Sequence, residues 1–294
     1  MRIPKRVEIV DVAPRDGLQN IAAEIPTERK IELINALAST GVPRIEATSF
    51  SHPKWVPQLR DAEQVLEGID RSRGTRLMVL IPNMRGYERA RQCAGLIHEV
   101  AVVISATETM NRNNVNASIA ESMGQFAQIA EQAKKDGLRV RGSIAVAFVC
   151  PFEGPTPPEQ SLRLADEFFH MGMDEVLFAD TIGRANPSQV YGLLRRAGGR
   201  WPEEPLAAHF HDTYHMALAN TFAALQAGVT IFDASVGGLG GCPFTPNGAG
   251  NVATEKLLFM MHEMSIETGI DYDGLLKVAG FAQTLKQPEG VEIS

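Results

Sequence analysis

The feature that most limits how this chain can fold is a repeated alternation of two hydrophobic patterns. Short runs rich in β-branched residues predict eight strands, at 7–12, 44–48, 76–81, 99–105, 140–148, 175–179, 206–211 and 231–236. Segments with helical periodicity lie between them, at 26–41, 58–66, 88–94, 119–135, 158–171, 187–198, 216–227 and 251–264. Strands that alternate with helices are joined by crossovers and therefore run parallel.

Eight such strand–helix units favour a closed (β/α)8 barrel over an open doubly wound sheet. A barrel of this kind typically needs about 250 residues, and the chain has 294. A further helical segment at 272–285 would form a short C-terminal extension. No linker, low-complexity tract or repeat interrupts the pattern, so we expect residues 1–294 to form a single catalytic TIM-barrel domain. Barrel enzymes carry their chemistry on the loops that follow the strands, so polar residues at strand ends are the candidates for function.

Charge and composition exclude several classes of function. The formal net charge is −7, whereas a nucleic-acid-binding protein would carry a basic surface. Hydrophobic residues make up 44% of the chain, but no stretch approaches 18 uninterrupted apolar residues, so no membrane span is expected. Cys93, Cys150 and Cys242 form neither a disulfide framework nor a CxxC motif. We therefore expect a cytoplasmic protein.

The predicted seventh strand ends in a His-x-His motif. His209 and His211 are two residues apart, so both side chains point to the same face of a strand, here the barrel interior. Two imidazoles on one inner face are a typical pair of metal ligands. The alternative is a pair of hydrogen-bonded core histidines. The other histidines considered fall in loops or helices and are interpreted as structural: His52, His98, His170 and His262.

Arg15 and Asp16 follow the first predicted strand. Asp16 offers a carboxylate and Arg15 a permanent cation, and the amides Gln19 and Asn20 come shortly after them. A surface salt bridge, which contributes little stability, is the alternative for such a pair. A mixed set of imidazole, carboxylate and amide-oxygen ligands with open positions suits Mg²⁺ or Mn²⁺ better than structural zinc. The sequence therefore predicts a divalent cation at the mouth of the barrel.

A glycine-rich loop follows the eighth predicted strand, with six glycines in the fourteen residues 237–250. Such a loop can approach a ligand with its backbone or move as a lid. Within it, Cys242 is either a reactive thiol or an inert small residue. Asn251 opens the next predicted helix, where asparagine is also a common N-cap. Glu46 and Asp180 end two predicted strands and suit support of a histidine or a metal-bound water.

Several motifs, taken together, resemble those of one enzyme family. They are 13–20 (APRDGLQN), 45–50 (IEATSF), 53–57 (PKWVP), 150–154 (CPFEG), 180–183 (DTIG), 209–214 (HFHDTY), 237–242 (GGLGGC) and 250–255 (GNVATE). This set is similar to that of the 3-hydroxy-3-methylglutaryl-CoA lyases, which belong to the DRE-TIM metallolyases. The similarity runs from Val7 to about Gln283.

The resemblance implies a metal-dependent retro-Claisen lyase that cleaves a 3-hydroxyacyl-CoA, by default 3-hydroxy-3-methylglutaryl-CoA, to acetyl-CoA and acetoacetate. It implies that the Mg²⁺ or Mn²⁺ ligands are Asp16, His209, His211 and Asn251. The expected catalytic residues are Arg15 at the enolate, Cys242 in proton transfer, His209, and the supporting acids Glu46 and Asp180. The expected substrate contacts are Arg15, Gln19, Ser49 and Thr181. A homodimer and a role in leucine catabolism are also implied.

The chain departs from the usual sequence of that family at positions that bear on substrate choice. Ile21-Ala22 replaces an acidic–basic pair, His215 stands where glycine is usual, and Met110-Asn111 replaces an aromatic–hydroxyl pair. The 244–250 segment also differs. Two alternatives therefore stay open. One is a relative that cleaves a different branched or carboxylated 3-hydroxyacyl-CoA or runs the condensation, and the other is a non-catalytic CoA- or metal-binding homologue.

Overall fold

A computed structural model describes residues 3–241 and 250–286. Eight parallel strands close into a barrel: β1 Glu8–Asp11, β2 Arg44–Ser49, β3 Arg76–Leu80, β4 Glu99–Ser105, β5 Arg139–Ala145, β6 Glu175–Asp180, β7 Leu206–Phe210 and β8 Ile231–Ala234. Each strand pairs with its neighbours in sequence, and β1 pairs with β8 to close the ring, with Glu8 opposite Ile231. The predicted (β/α)8 barrel is confirmed.

Helices cover the outside of the barrel. They are α1 Thr27–Ser39, α2 Ala62–Gly68, α3 Met84–Arg91, α4 Glu108–Val115, α5 Ile119–Lys135, α6 Pro158–His170, α7 Pro187–Arg200, α8 Ala217–Ala227, α9 Thr254–Glu263 and α10 Tyr272–Thr284. Their inward faces carry apolar stripes, such as the fully buried Leu33, Ile34 and Leu37 of α1. The helix α10 is the predicted C-terminal extension and packs against α1 and α9. Within the described ranges, no helix is long and apolar enough to cross a membrane.

Two features after the fourth and fifth strands differ from the prediction. The sequence pattern does not predict α4, because its residues are mostly polar and only Met110 and Asn111 are buried, which leaves little apolar periodicity. Strand β5 ends at Ala145 rather than at 148, because Val146 has a φ of +48°, outside the extended region. A short antiparallel pair, Val149–Cys150 with Gly154–Pro155, follows it.

The start of the last barrel helix also differs. The prediction places Asn251 at its first residue, but α9 begins at Thr254. Asn251 instead forms an isolated bridge with His211 beyond the end of β7. Asn251 is therefore not a helix cap, and its side chain is positioned by the end of a barrel strand.

The interior of the barrel is ionic near the beginnings of the strands. Arg44 in β2 donates hydrogen bonds of 2.8 and 2.9 Å to Glu99 in β4 and Glu175 in β6. Arg141 in β5 bonds to Glu175 and, at 2.8 Å, to Asp233 in β8. Buried charges are tolerated when they are paired and hydrogen-bonded. These pairs connect strands across the barrel and form an ionic layer beneath the carboxyl-terminal ends of the strands.

Candidate active site

The loop after β1 presents two of the predicted site residues. It is a single π-helical turn, Ala13–Gly17, which contains Arg15 and Asp16. Turns of this kind are rare and occur often at functional sites. The buried carboxylate of Asp11, at the end of β1, holds the turn by accepting the N–H of Ala13 at 2.9 Å. The same carboxylate accepts the hydroxyl of Thr254 at 2.7 Å, so the turn is tied to the start of α9.

The predicted metal ligands meet at the carboxyl-terminal end of the barrel. The ligand atoms of Asp16, His209 and His211 lie within 4.8 Å of one another, and the two imidazole centroids are 5.1 Å apart. Asn251 joins this cluster, because its Nδ2 donates a hydrogen bond of 2.7 Å to Asp16 Oδ2. The fold thus brings together residues that are as far apart in sequence as Asp16 and Asn251.

The chemistry of this cluster fits a divalent cation. His211 Nδ1 and Asn251 Oδ1 are buried and have no hydrogen-bond partner among the described residues. A buried polar atom without a partner costs about 1–3 kcal/mol, and a bound cation would satisfy such atoms. Carboxylate, imidazole and amide oxygen are all ligands that Mg²⁺ or Mn²⁺ accepts. The four residues of the cluster are therefore able to hold the predicted ion.

Electrostatic interactions keep two of these residues in the protonation state that a metal ligand needs. Burial disfavours ionisation of Asp16, but Arg15 and the two imidazoles outweigh burial and lower the pKa of Asp16 below its ordinary value. Burial, together with the neighbouring His209, lowers the pKa of His211 to about 4. Near pH 7, Asp16 is therefore ionised and His211 is neutral, as metal coordination requires.

Asp233 in β8 contacts His209 and is absent from the sequence-based prediction. Its Oδ2 lies 3.4 Å from His209 Nδ1, and its Oδ1 accepts a 2.8 Å hydrogen bond from Arg141. Burial disfavours protonated His209, but the hydrogen bond and charge of Asp233 outweigh burial and raise the pKa of His209. A carboxylate behind a ligating histidine fixes the ring orientation. The signal that could have revealed Asp233 is its charge within an otherwise apolar strand.

Arg15 is held between two carboxylates. Its Nε donates to Glu46 at 2.6 Å, and its Nη1 donates to Asp16 at 2.7 Å. Burial disfavours the charged guanidinium, but the two carboxylates outweigh burial and raise the pKa of Arg15 above its ordinary value. Burial also raises the pKa of Glu46, although Arg15 opposes this. Glu46 therefore orients Arg15, which stays a cation next to the metal-ligand cluster.

A cavity of about 1310 Å³ opens above the cluster. The predicted site residues that line it are Arg15, Asp16, Gln19, Glu46, Thr181, His209 and His211. Small-molecule sites usually occupy about 300–1,000 Å³. The cavity therefore has room for a ligand much larger than a simple acid.

Three other predicted site residues are not part of the described cavity lining. Ser49 lies behind it, and its hydroxyl is 2.8 Å from that of Ser51, which does line the cavity. Asp180 accepts the N–H groups of Arg184 and Ala185 at 3.0 Å each and so stabilises the turn after β6. Burial raises the pKa of Asp180 to about 6, although these bonds oppose the rise. Direct roles for Ser49 and Asp180 in the reaction stay predictions, and Cys242 lies outside the described residues.

Comparison with known proteins decides the family. The family model described as HMGL-like matches residues 6–281. The chain belongs to the HMGL-like family. A hydroxymethylglutaryl-CoA lyase of Bacillus subtilis is 47% identical over 279 residues, which are 95% of this chain and 93% of the relative. A cytoplasmic 3-hydroxy-3-methylglutaryl-CoA lyase of Danio rerio is 48% identical over 277 residues, which are 94% and 81% of the two chains.

Solved structures of HMG-CoA lyases have the same fold as this HMGL-like chain. The enzyme from Bacillus subtilis superposes with a TM-score of 0.94 at 45% identity, covering 99% of this chain and 98% of the other. An HMG-CoA lyase from Acinetobacter baumannii, in complex with coenzyme A and 3-methylmalate, superposes with a TM-score of 0.91 at 38% identity, covering 97% and 93%. The family resemblance predicted from the motifs is confirmed.

Proposed function

We propose that this HMGL-like chain is a divalent-metal-dependent carbon–carbon lyase that cleaves 3-hydroxy-3-methylglutaryl-CoA to acetyl-CoA and acetoacetate. The observation that carries the proposal is the cluster of Asp16, His209 and His211, with Arg15 beside it, on the floor of a large cavity. Relatives named for this activity cover nearly the whole chain. The complex of a structural relative with coenzyme A supports an acyl-CoA as the substrate class.

The reaction breaks the bond between C2 and C3 of the acyl group. A base removes the proton of the C3 hydroxyl, and C3 becomes the ketone carbon of acetoacetate. The electron pair of the broken bond forms the enolate of acetyl-CoA, which then takes up a proton at C2. The site must therefore accept one proton, stabilise one developing negative charge and return one proton.

Charge stabilisation is assigned to Arg15. A divalent cation held by the four proposed ligands would supply Lewis acidity and orient the substrate oxygens. Arg15 lines the same floor, and its guanidinium is fixed by Glu46 and Asp16 before any substrate arrives. A fixed charge stabilises a developing enolate effectively because it need not reorganise during the reaction. Gln19 and Thr181 line the cavity and are proposed to contact the acyl group.

Proton transfer is proposed to involve His209 and Cys242. Since one nitrogen of His209 faces Asp233, only the other is available, either for the cation or for the hydroxyl proton. His209 therefore cannot hold the cation and accept the proton at the same moment. In a His209→Ala variant, weaker Mn²⁺ binding supports the ligand role, whereas unchanged binding with lost turnover supports the base role. Cys242 is the proposed donor to C2, and full turnover by Cys242→Ser would exclude it.

Cleavage of a panel of 3-hydroxyacyl-CoA esters, with Mn²⁺ or Mg²⁺ and with chelator, tests the proposal. Fast and chelator-sensitive cleavage of 3-hydroxy-3-methylglutaryl-CoA is the expected result. Cleavage of a different branched or carboxylated ester alone would keep the mechanism and replace the substrate. Absence of turnover across the panel would overturn the proposed activity, and tight Mn²⁺ binding would then favour a non-catalytic homologue.

Assembly and cellular context are proposed from the family alone. We propose a homodimeric protein that acts in the cytoplasm in leucine catabolism, with residues 1–294 as one catalytic domain and without nucleic-acid or membrane partners. Light scattering coupled to size-exclusion chromatography tests the dimer directly. A monomer at micromolar concentration would contradict it.

A further inference from the structure

We propose that a recess in the cavity floor beside His209 accepts a branch at C3 of the acyl group that is longer than methyl and carries a neutral oxygen atom. The recess is the part of the cavity wall formed by inward-facing residues of β3 to β6, namely Leu80, Val103, Ser143, Ala145, Leu177 and Ala179. Ser143 is the residue that determines this specificity. The inference rests on the proposed function, because it takes the carbon–carbon bond to be broken beside His209.

Strand register places the recess next to the metal-ligand cluster. Ala179 in β6 pairs with His209 in β7, so their backbones are one strand spacing apart, about 4.8 Å. Ser143 in β5 pairs with Leu177 in β6 and with Val103 in β4. Ser143 is therefore two strands from His209 and one inward-facing residue deeper in the barrel. A branch at C3 of a substrate held at His209 can extend over Ala179 towards Ser143.

Small side chains give the recess its space. The interior of a (β/α)8 barrel is usually filled by layers of bulky branched residues. Here Ser143, Ala145 and Ala179 occupy inward-facing positions of two adjacent strands, and each retains 7–8% exposure. All three line the cavity, so the space above them is part of the cavity and not a sealed void. A branch larger than methyl can therefore enter it from the site of the reaction.

The hydroxyl of Ser143 points to a branch with an oxygen atom. Four described residues with hydroxyl groups line the cavity, and three of these hydroxyls are engaged. Ser51 is 2.8 Å from another serine hydroxyl, Ser122 accepts an amide N–H at 3.0 Å, and Thr181 accepts a backbone N–H at 2.9 Å. Ser143 is 8% exposed, and its hydroxyl makes no hydrogen bond with any residue in the described ranges. A purely aliphatic branch would cover this hydroxyl and leave it unsatisfied, whereas an oxygen atom could accept its proton.

The charges below the recess favour a neutral oxygen over a carboxylate. Arg141 is the next inward-facing residue of β5 below Ser143, and it is bonded to Glu175 and, at 2.8 Å, to Asp233. A carboxylate on the branch would add a negative charge near these two carboxylates, and like charges in a buried site repel each other. The recess itself contains no charged side chain. Its chemistry matches a short aliphatic branch interrupted or ended by an ether or ketone oxygen.

The test compares three synthetic esters in the full-length protein with Mn²⁺. They are 3-hydroxyglutaryl-CoA derivatives that carry methyl, propyl or methoxymethyl at C3, and the last two differ only in the exchange of a methylene for an oxygen. Each is cleaved to acetyl-CoA and the 3-keto acid with the same branch. We expect kcat/KM for the propyl ester to be at least equal to that for the methyl ester. The methoxymethyl ester should exceed the propyl ester roughly tenfold, because only the ether oxygen satisfies Ser143.

Two variants of Ser143 separate the hydroxyl from the space. Ser143→Ala removes only the hydroxyl, so the preference for methoxymethyl over propyl should fall to about one. Ser143→Leu fills the recess, so kcat/KM for both longer esters should fall at least about tenfold relative to the methyl ester. Ala101→Val is the control, because it enlarges a buried residue of β4 that does not line the cavity. It should leave both ratios unchanged, and a ratio of two esters is independent of the fraction of folded enzyme.

Two results would overturn the inference while leaving the proposed function intact. One is an unaltered chain that cleaves the methyl ester more than tenfold better than both longer esters. The other is a set of ratios that Ser143→Ala and Ser143→Leu leave as they are in the unaltered chain. Absence of cleavage of all three esters would refute the proposed function itself, and the specificity with it.

Discussion

The Asp233→Asn substitution tests whether a carboxylate in β8 positions His209 for metal binding. The change keeps the side-chain size but removes the charge that lies 3.4 Å from His209 Nδ1 and 2.8 Å from Arg141 Nη1. Loss of the carboxylate behind a ligating histidine typically weakens metal binding about 10–100-fold. This corresponds to about 1.4–2.8 kcal/mol of binding free energy. We expect the Mn²⁺ affinity of the variant to fall within that range.

The same substitution should also lower the free energy of unfolding. Removing one partner of a buried ion pair costs about 3–5 kcal/mol. Arg141 retains Glu175 as a second partner, so we expect a loss near the lower end, about 3 kcal/mol. Glu175→Gln is the control, because it removes the other carboxylate bonded to Arg141 and is not hydrogen-bonded to His209. Glu175 is also bonded to Arg44, so this variant should destabilise the protein at least as much as Asp233→Asn does and leave Mn²⁺ affinity unchanged.

Electron paramagnetic resonance of free Mn²⁺ gives the dissociation constants, and urea unfolding gives the stabilities. Wild-type Mn²⁺ affinity in Asp233→Asn would refute the positioning role. Equal losses of affinity in Asp233→Asn and Glu175→Gln would also refute it, because the effect would then follow from general destabilisation. A loss confined to Asp233→Asn supports a direct action on His209.

Three further predictions concern the reaction, its pH dependence and the backbone. Arg15→Gln should lower kcat by orders of magnitude, because the fixed charge at the enolate is lost. Mn²⁺ binding, measured by paramagnetic resonance, should persist in this variant. Unchanged turnover would exclude the role given to Arg15. Mn²⁺ affinity should fall about tenfold per pH unit as pH decreases below the pKa of His209, which Asp233 raises above 6.5, because one proton competes with the cation. His211, with a pKa of about 4, adds a second proton only near that pH, so a hundredfold fall between pH 6 and pH 5 would contradict this order. His215→Gly should raise the free energy of unfolding by about 0.5–1 kcal/mol. His215 is exposed and has a φ of +58°, a conformation that costs a non-glycine residue about 1–2 kcal/mol, and the backbone entropy of glycine offsets part of the gain. A lower free energy of unfolding in urea would contradict the prediction.

The sequence by itself determined the barrel and the core of the candidate metal site. Strand and helix periodicity is a property of each segment, because a buried face must recur every two residues in a strand and about every 3.6 in a helix. Eight alternations therefore predict a barrel without knowledge of any contact. The barrel also places the carboxyl-terminal ends of its strands together. Asp16 follows β1, His209 lies at the end of β7 and His211 follows it, so the three could be identified as neighbours from sequence.

Only the tertiary structure decided which side chains meet across the barrel. Asp233 and Arg141 come from different strands, and the register of the closed sheet brings them behind His209. Asn251 joins the cluster through a bridge to His211 rather than as the helix cap that local pattern favours.

A local sequence pattern also cannot predict the positive φ of Val146 or the meeting of Asp16, Glu46 and Asp233 in one cavity. These features depend on strand register and on the direction of side chains from segments far apart in sequence. A periodicity confined to one segment carries no information about either.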